Sequence, residues 1–449
     1  ETGGGSCARA PLRQICRSRG APTHRARGQA HEVEEGKLLE YEAFLVALDV
    51  GTSKVVVLVG EVTNDGALDI IGKGSMPTTG VKKGLVNNID QTVSSIHGAI
   101  EQAERLSGLR LEAAFVGVGG DHLESLNSRG TVAVSGAHRE ITREDIERAT
   151  EVARAVTIPS NREVLHVLPR DFTVDGQEGV KDPEGMSAIR LEVTTHIVHG
   201  GATALQNLTK CVRQAGVRPD ELVVSAIASG EAVLTETERE LGVAMADIGA
   251  GTTDLALYAE GSPFYTSVIP LGGVNVTNDI AIGLRTNLTA AEQLKMQFGS
   301  KDAKREPGDT EAPVEIVDDG VARPARKSDV TEIIDARMRE LYEKIGDEMS
   351  ENASAHRLPA GLVLTGGAAQ LANAAELARD VLDIPVRVAS PEGVGGLTDH
   401  LLTPQYATAI GLLEWAARVV TTEDLQRYEP PPRTQSWDRL REAVRRFFP

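Results

Sequence analysis

The sequence is poor in residues on which several common classes of protein depend. Only 3% of its 449 residues are aromatic, and its three cysteines are Cys7, Cys16 and Cys211. Three widely spaced cysteines form neither a disulfide framework nor a zinc site, which favours a reducing cytoplasm. The scarcity of aromatic side chains disfavours a surface that stacks nucleic-acid bases.

Positive charge and long apolar runs are also scarce. Lysine and arginine number 47 against 65 acidic residues, so the formal net charge is −18. We expect no nucleic-acid partner, because a general nucleic-acid binder needs a basic surface for phosphates. No uninterrupted apolar stretch reaches the ~18–20 residues that span a bilayer. The absence of a Walker-type Gly-Lys motif excludes the P-loop class of nucleotide-binding proteins.

The length and the alternation of strand and helix signals indicate an α/β protein with two or more domains. The first 43 residues differ from the rest. Residues 1–30 carry six arginines against one acid, Glu1, and the first methionine is Met76. Two interpretations of residues 1–43 stay open: upstream or non-native sequence ahead of a true start near Val33, or a disordered basic arm.

Two short loops rich in glycine and threonine are the most informative features. Residues 49–54 read Asp-Val-Gly-Thr-Ser-Lys, and residues 247–254 read Asp-Ile-Gly-Ala-Gly-Thr-Thr-Asp. Each loop lies between two apolar runs, which predicts strand, tight turn and strand. Glycine lets backbone amides approach a phosphate, hydroxyls add donors, and an aspartate at a strand end can hold hydrated Mg²⁺. Either loop alone could be an ordinary hairpin, but together they could close on one nucleoside triphosphate.

Two further segments support a nucleotide site. A predicted strand over residues 361–364 leads to Gly366-Gly367-Ala368, where bare amides and a helix N-terminus could hold a ligand. On another predicted helix, Glu292 and Lys295 lie three residues apart and face the same way. One could contact a ribose hydroxyl and the other a base. Taken alone, an exposed ion pair is the simpler interpretation of these two residues.

The C-terminal segment is amphipathic. Residues 421–435 form a linker that three consecutive prolines stiffen. In residues 436–449, the apolar side chains share an arc of about 100° on a helix, and the arginines lie outside it. This pattern is typical of a helix at a membrane surface, and the alternative is a helix docked on the protein's own body. The residues expected at the membrane are Trp437, Leu440, Arg441, Val444, Arg445, Phe447 and Phe448.

Together, the two hairpins, the Gly-Gly turn and the Ala-Glu-x-x-Lys helix resemble the actin-like ATPase superfamily. Within it, the chain closely resembles the FtsA family of bacterial cell-division proteins. The likeness runs from about residue 44 to 449 and is carried by residues 164–169, 200–201, 238–243, 363–370 and 395–399. The resemblance implies an actin-like α/β fold, with two RNase H-like domains around a nucleotide cleft, an inserted subdomain and a C-terminal amphipathic helix.

The resemblance also implies a domain layout. The expected parts are an N-terminal arm (1–43), a first core (44–81 and 162–218), an inserted subdomain (82–161), a second core (219–287 and 358–420), a small subdomain of the second domain (288–357), the linker (421–435) and the membrane-targeting helix (436–449).

Carried over by position, the resemblance implies ATP and Mg²⁺ as ligands. Asp49 and Asp247 would lie near Mg²⁺ and hold it through water. The residues expected to meet the phosphates are Asp49, Gly51, Thr52, Ser53, Lys54, Asp247, Gly249, Gly251, Thr252 and Thr253, with Gly272 and Gly273 close by. Those expected at the ribose and base are Glu292, Lys295, Gly366, Gly367 and Ala368.

Two residues depart from the family pattern. Ala250 stands where the family often has a third glycine, and a positive φ there would cost on the order of 1 kcal/mol. Ile227 aligns with the Gln or Glu that orients water in active actin-like ATPases, and an apolar side chain cannot orient or deprotonate water. We therefore predict that ATP binds well and turns over more slowly than about once per second.

The implied function is that of a scaffold and membrane adaptor. Such a protein anchors FtsZ filaments to the cytoplasmic face of the cell membrane at the division septum, forms filaments itself and recruits later division proteins. The C-terminal tail of FtsZ would bind within residues 288–357.

Three other functions compete with this one. A small-molecule kinase of the same fold would need a catalytic carboxylate near Ile227. An MreB-type filament protein lacks the insertion at 82–161. A heat-shock-type chaperone would need a substrate domain, and the last 30 residues are too few for one.

Overall fold

The computed structural model describes residues 43–63, 66–135, 139–299, 313–318, 321–353 and 358–419. All but the last residue of the expected arm 1–43 lies outside these ranges, as do the linker 421–435 and the amphipathic helix 436–449. Within the described ranges, no helix combines the length and the apolar character needed to cross a membrane.

The strands are β1 (Ala43–Val50), β2 (Lys54–Val62), β3 (Leu68–Pro77), β4 (Val81–Lys82), β5 (Leu85–Val86), β6 (Ala113–Val118), β7 (Leu123–Ala133), β8 (Arg162–Val174), β9 (Gln177–Val180), β10 (Arg190–Gly201), β11 (Arg218–Val224), β12 (Val243–Ile248), β13 (Thr253–Ala259), β14 (Ser262–Ile269), β15 (Pro313–Asp318), β16 (Val321–Arg326), β17 (Leu362–Thr365), β18 (Val386–Val388) and β19 (Val394–Gly396). The α-helices are α1 (Ile89–Ser107), α2 (Arg143–Arg154), α3 (Ala202–Gln214), α4 (Ser225–Val233), α5 (Glu236–Leu241), α6 (Gly273–Leu284), α7 (Leu288–Phe298), α8 (Lys327–Asn352), α9 (Ala374–Leu382) and α10 (Ala407–Val419). Short 3₁₀ turns cover Gly367–Gln370 and Pro404–Tyr406.

Two of the sheets repeat one topology. The first core sheet has the order β11-β6-β1-β2-β3-β19, and the second has the order β14-β13-β12-β17-β18. Each begins with an antiparallel meander of three strands, β1-β2-β3 or β12-β13-β14. A fourth strand then pairs in parallel with the first strand of the meander, and a fifth pairs in parallel with the fourth. The two RNase H-like halves expected of an actin-like fold are therefore present.

The apolar runs on either side of the first loop form strands that are covered on both faces. Val55 to Val59 are at most 1% exposed. Val55, Val57 and Val59 pack in one cluster with Ile96 of α1, whereas Val56 and Leu58 share another with Leu412 of α10. Because both faces are buried, the strand is a continuous apolar run and does not alternate with polar residues.

A separate antiparallel sheet, β7-β10-β8-β9, carries α2 across it and has its own small core. This sheet corrects the expected boundaries of the insertion, because its strands run from Leu123 to Gly201 rather than over 82–161. Within the expected insertion, α1 and β6 belong to the first core. Strands β8 to β10, expected in the first core, belong to the inserted sheet. Alternating patterns identify strands but do not say which sheet each one joins.

The division between the two cores is also displaced from the expected one. Strand β11 lies in the first sheet, so the second core does not begin at 219. β19 pairs with β3, and α10 packs against β1 and β2, although both were expected in the second core. The stretch 288–357 contains α7, the β15–β16 hairpin and α8, and side chains of α7 and α8 share one core with the second sheet. Its separation as a subdomain stays a prediction.

Helices α4 and α10 cross between the two core sheets. A methyl group added to Gly411 of α10 would lie 1.8 Å from the carbonyl oxygen of Ala228 in α4, so only glycine permits this approach. α10 contacts β1, β2 and β6 of the first sheet, and α4 contacts β12, β13 and β17 of the second sheet as well as β6 and β11 of the first. The crossing therefore places side chains of both helices where the two halves meet.

Candidate functional site

The two predicted hairpins have matching turns. The amide of Gly51 donates to the carbonyl of Lys54 at 3.0 Å, and the amide of Gly249 donates to the carbonyl of Thr252 at 2.9 Å. β1 pairs with β2, and β12 with β13, as the sequence predicts. The first loop belongs to the first core and the second loop to the second core.

The two loops face each other. A methyl group added to Gly251 would lie 2.6 Å from Oγ1 and 3.0 Å from Cγ2 of Thr52. Oγ1 of Thr52 also accepts a hydrogen bond from the amide of Gly84 at 3.2 Å. The structure thus brings Thr52 and Gly251 together across the cleft, as the sequence led us to expect.

Three carboxyl groups lie close enough to influence one another beneath these loops. Burial raises the pKa of Asp49 to about 7, and the charge of Asp247 adds to the rise. Burial also raises the pKa of Asp254 well above its usual value, with further contributions from Asp247 and Asp49. The Oδ1 atom of Asp254 is buried and has no hydrogen-bond partner among the described residues. This cluster is short of positive charge.

Asp247 is held by side chains from the two crossing helices. Its Oδ2 atom accepts hydrogen bonds from Ser229 of α4 at 2.5 Å and from Thr408 of α10 at 2.9 Å. Burial raises its pKa, and these two bonds oppose the rise. Gly366 has a φ of 88°, and a methyl group there would lie 2.3 Å from Oδ1 of Asp247. Glycine is required at 366 by both conformation and space.

The carboxylates fit a cation held through water better than one held directly. No group of three or more His, Cys, Asp or Glu side chains in the described part of the chain is arranged to ligate a metal. Mutual repulsion among three buried carboxylates, and the unpaired oxygen of Asp254, nevertheless favour a nearby cation. A hydrated Mg²⁺ suits this donor set, because Mg²⁺ retains several waters when carboxylates bind it.

Lys54 joins the first loop to the segment that follows β19. Its Nζ donates to Oε1 of Gln405 at 2.9 Å and lies 3.9 Å from the centre of the Tyr406 ring. Nζ of Lys73 lies 4.5 Å from the same ring. Burial lowers the pKa of Lys54, and the charge of Lys73 contributes to this. Two ammonium groups beside one ring make this side of the cleft positive.

Of the residues expected at the ribose and base, Glu292, Lys295 and Ala368 gather at the N-terminus of α6. Nζ of Lys295 donates to the carbonyl of Gly273 at 3.1 Å and to Oγ1 of Thr277 at 3.0 Å. It also lies 2.8 Å from Oε2 of Glu292. A methyl group on Gly273 would be 3.5 Å from both Nζ of Lys295 and Cβ of Ala368. Lys295 is only 8% exposed. The sequence alone allowed Glu292 and Lys295 to be a solvent-exposed ion pair, but the lysine of this pair is buried.

Gly272 is fixed against the second loop. A methyl group on it would lie 2.7 Å from the carbonyl oxygens of Gly249 and Ala250. The amide of Gly273 donates to the Gly249 carbonyl at 3.0 Å. The second loop and the start of α6 are therefore one connected backbone surface.

The remaining predicted residues differ in their surroundings. Oγ1 of Thr253 donates to the carbonyl of Leu271 at 2.9 Å, so this hydroxyl already has a structural partner. The side chain of Ser53 is exposed, and its carbonyl accepts a bond from the amide of Thr78 at 3.0 Å. Thr252 is buried, and Gly367 has open space beside it, with Cβ of Gln405 at 3.9 Å from an added methyl group.

The structure bears on both departures from the family pattern. Ala250 is not among the described non-glycine residues with positive φ, so the alanine carries no left-handed strain. Ile227 is 1% exposed in the core and does not face the cleft. Ser225 does, since a methyl group on Gly117 would lie 3.6 Å from Oδ1 of Asp49 and 3.7 Å from Oγ of Ser225.

Sequence reasoning missed two features of the cleft. Asp254 is the cross-strand partner of Asp247, so both side chains lie on one face of the hairpin. Gly117 and Gly119, at the end of β6 and just after it, lie beside the carboxylates and Ser225. The signal was available, because β6 is a third apolar run that ends in glycines.

Comparisons with known proteins agree with this architecture. The family model described as "Cell division protein FtsA" matches residues 244–411, and the model "SHS2 domain inserted in FTSA" matches residues 120–199. The second match coincides with the inserted sheet. Among solved structures, the PilM-PilN type IV pilus biogenesis complex has a TM-score of 0.60 at 19% identity and covers 83% of this chain and 98% of its own. MreB5 of Spiroplasma citri bound to ADP has a TM-score of 0.50 at 13% identity, with 85% and 98% covered.

Those structural neighbours show the fold alone, whereas curated relatives are much more similar. The cell division protein FtsA of Pseudomonas aeruginosa is 44% identical over 381 residues, which are 85% of this chain and 89% of the relative. FtsA of Bacillus subtilis is 40% identical, with 83% of each chain covered. FtsA of Escherichia coli is 37% identical over 83% of this chain and 90% of the relative. The chain therefore belongs to the FtsA family of actin-like cell-division proteins.

Proposed function

We propose that the chain binds ATP with Mg²⁺ between its two core sheets and uses the bound nucleotide to set its shape for assembly. One observation carries the proposal: two matching hairpins, one from each core, face each other at Thr52 and Gly251 above three mutually repelling carboxyl groups. Such a cleft offers amides and hydroxyls for phosphates, and acidic groups for a hydrated cation. The ADP-bound MreB5 of similar fold supports a nucleotide ligand.

Different residues of the cleft would bind the phosphates, the cation, and the ribose and base. The phosphates would meet the amides of the two loops and the ammonium group of Lys54. Asp49 and Asp247 would hold Mg²⁺ through water, and the bound cation would offset the repulsion among the carboxylates. Glu292 and Lys295 would lie at the ribose and base, next to the backbone of the glycine pairs at 272–273 and 366–367.

ATP turnover is predicted to be slow. Ser225, rather than a Gln or Glu, faces Asp49 and Asp254 at the start of α4. A serine hydroxyl forms hydrogen bonds with water but does not take up a proton at neutral pH. Slow turnover is therefore still predicted, but the reason is now Ser225 and no longer Ile227.

Membership of the FtsA family supports the wider role. The chain would attach FtsZ filaments to the cytoplasmic face of the cell membrane at the septum, through residues 288–357 and the tail 436–449. It would also assemble with copies of itself and recruit later division proteins. Partial burial of five apolar side chains supplies several kcal/mol at about 25 cal/mol per Å². Each tail arginine adds about 1 kcal/mol near anionic lipid. One tail is thus a reversible anchor, and a filament of many tails binds firmly.

Sedimentation with FtsZ filaments and anionic vesicles tests this role. With ATP and Mg²⁺, the full chain should bring FtsZ into the vesicle pellet. Without ATP, or with a variant in which Asp247 is replaced by Asn, less FtsZ should sediment. FtsZ that stays in the supernatant under every condition, although the chain itself binds vesicles, would contradict the adaptor role.

A further inference from the structure

A triangle of three oxygen atoms joins Asp247 to the two crossing helices. Oδ2 of Asp247 lies 2.5 Å from Oγ of Ser229 in α4 and 2.9 Å from Oγ1 of Thr408 in α10. The two hydroxyl oxygens lie 3.0 Å apart. Each hydroxyl has one proton, so both can donate to Oδ2 only if that oxygen carries no proton of its own. The triangle therefore suits an ionised carboxylate.

The triangle fixes the rotation of the carboxylate. Both hydroxyls lie on Oδ2, whereas Oδ1 faces Gly366, where a methyl group would be 2.3 Å away. The terminal torsion of an aspartate is otherwise broad, because it joins an sp³ to an sp² carbon. Groups that hold a metal-binding carboxylate in one orientation strengthen the binding of the metal. Ser229 and Thr408 are placed to do this for Asp247.

The equivalent aspartate of the first hairpin lacks this support. Asp49 and Asp247 each lie two residues before the first glycine of turns that have matching hydrogen bonds. Among the described residues, no hydroxyl donates to the carboxylate of Asp49, whereas two donate to that of Asp247. The hairpin therefore forms without such hydroxyls, and their presence at Asp247 indicates a role toward a ligand.

The helix crossing determines where the two hydroxyls lie. α10 packs against β1 and β2 of the first core, whereas Asp247 belongs to β12 of the second. Gly411 of α10 allows the close approach to Ala228 of α4, and Ser229 is the next residue along α4. The packing of α10 on α4 thus orients a carboxylate of the other core.

We propose that Ser229 and Thr408 are positioning residues that hold the Asp247 carboxylate in the orientation in which it receives hydrated Mg²⁺. The inference rests on the proposed binding of ATP with Mg²⁺. Each hydroxyl acts through Asp247 and not on the nucleotide itself. Loss of a hydroxyl therefore weakens the part of the ATP affinity that depends on the cation.

Substitutions at Thr408 test the inference in the full chain. Thr408→Val removes the hydroxyl and keeps the shape of the side chain. Thr408→Ser keeps the hydroxyl and removes the methyl group, so it separates a lost hydrogen bond from altered packing. Thr195→Val is a matched control in the inserted sheet, where a buried threonine donates to the carbonyl of Ser128 at 3.3 Å.

Calorimetric titration with ATP, with and without Mg²⁺, measures how much the cation raises the affinity. In Thr408→Val this gain should fall by about tenfold, while the affinity without Mg²⁺ should stay within about twofold of the native value. Thr408→Ser and Thr195→Val should keep the native gain. A hydroxyl with a structural role only would change both affinities by the same factor, or neither.

Crystals of the nucleotide-free protein test the orientation without a ligand. In the native protein, Oδ2 of Asp247 should lie within about 3.2 Å of both hydroxyl oxygens. In a variant that combines Ser229→Ala with Thr408→Val, the carboxylate should turn away from this orientation.

Three results would overturn the inference. They are a gain from Mg²⁺ in Thr408→Val that equals the native gain, a loss of affinity in this variant that is the same with and without Mg²⁺, and an unchanged carboxylate in the double variant. A native crystal in which Oδ2 lacks either hydroxyl would overturn the inference alone. Failure of the native chain to bind ATP would instead overturn the proposed function.

Discussion

Thr52 and Gly251 meet across the cleft so closely that a methyl group on Gly251 would lie 2.6 Å from Oγ1 of Thr52. Each residue belongs to a loop closed by its own backbone hydrogen bond, and each loop belongs to a different core. The contact between the Thr52 side chain and Gly251 therefore sets how closely the two cores can approach each other.

Gly251→Ala should lower the affinity for ATP. The methyl group would push Thr52 and its loop away, and overpacking of this kind costs about 1–3 kcal/mol. If the cleft must close to this distance to hold the phosphates, affinity measured by calorimetry should fall by about tenfold or more. Gly201→Ala, which adds the same group outside the cleft, should leave affinity unchanged. Native affinity in Gly251→Ala would show that the loops do not close on the phosphates together.

The stability of the nucleotide-free protein should depend on Asp49. Its pKa is raised from 3.8 to about 7, so the folded protein holds this proton more tightly than the unfolded chain does. Its contribution to stability is therefore full below about pH 4 and is lost as the pH rises to about 7. Chemical unfolding at intervals between pH 4 and 8 should show a smaller decline for Asp49→Asn than for the native protein. Parallel profiles would show that Asp49 titrates normally.

Mg²⁺ and ATP should reverse this effect. A bound cation favours the ionised carboxylates, so addition of both ligands should stabilise the native protein most above pH 7. Equal stabilisation at pH 5 and pH 8 would argue against a cation next to Asp49.

Lys295→Met should weaken both the fold and the site. The change removes the hydrogen bonds from Nζ to the Gly273 carbonyl and to Oγ1 of Thr277, and it removes the ion pair with Glu292. We expect the free energy of unfolding to fall by about 1–3 kcal/mol and the affinity for ATP to fall with it. Lys344→Met, an exposed lysine of α8, is the control for lost charge. Reduced stability with native ATP affinity would assign Lys295 a structural role only.

The inserted sheet is tied to the second core through His196. Its Nε2 lies 3.2 Å from Oγ1 of Thr266 in β14, and its Nδ1 lies 3.0 Å from Oδ1 of Asn127 in β7. Thr266→Val keeps the shape but leaves the buried imidazole nitrogen unpaired, which costs about 1–3 kcal/mol. Hydrogen exchange in β7 and β10 should become faster. Thr131→Val, at an exposed position of β7, should leave exchange unchanged. Unchanged exchange in Thr266→Val would mean that other contacts hold the insertion.

Trp437→Glu should release the protein from anionic vesicles. The substitution puts a negative charge in the apolar arc predicted for the tail and removes its largest apolar side chain. Thr434→Glu adds the same charge within the linker and should have little effect on flotation with vesicles. Equal flotation of the two variants would favour a tail that docks on the protein's own body.

The local pattern of the sequence predicted the hairpins because a continuous apolar run, a glycine turn and a second run leave few alternatives. It failed where the outcome depends on distant packing. The strands of the insertion could not be assigned to a sheet, because the pattern of a strand such as β8 does not say which strand it pairs with. Ile227 was expected at the cleft but is buried in the core, because only the packing of α4 against α10 decides which side chains of α4 face the carboxylates. Asp254 was overlooked because its environment depends on β6, more than a hundred residues earlier.

Calorimetric titration of the nucleotide-free full chain with ATP, with and without Mg²⁺, tests the central claim most directly. We predict one saturable site per chain, tighter binding with Mg²⁺, and a loss of about tenfold or more in affinity for Asp247→Asn. The account would be contradicted if the folded native protein bound no ATP, or if Asp247→Asn bound ATP with Mg²⁺ as tightly as the native protein.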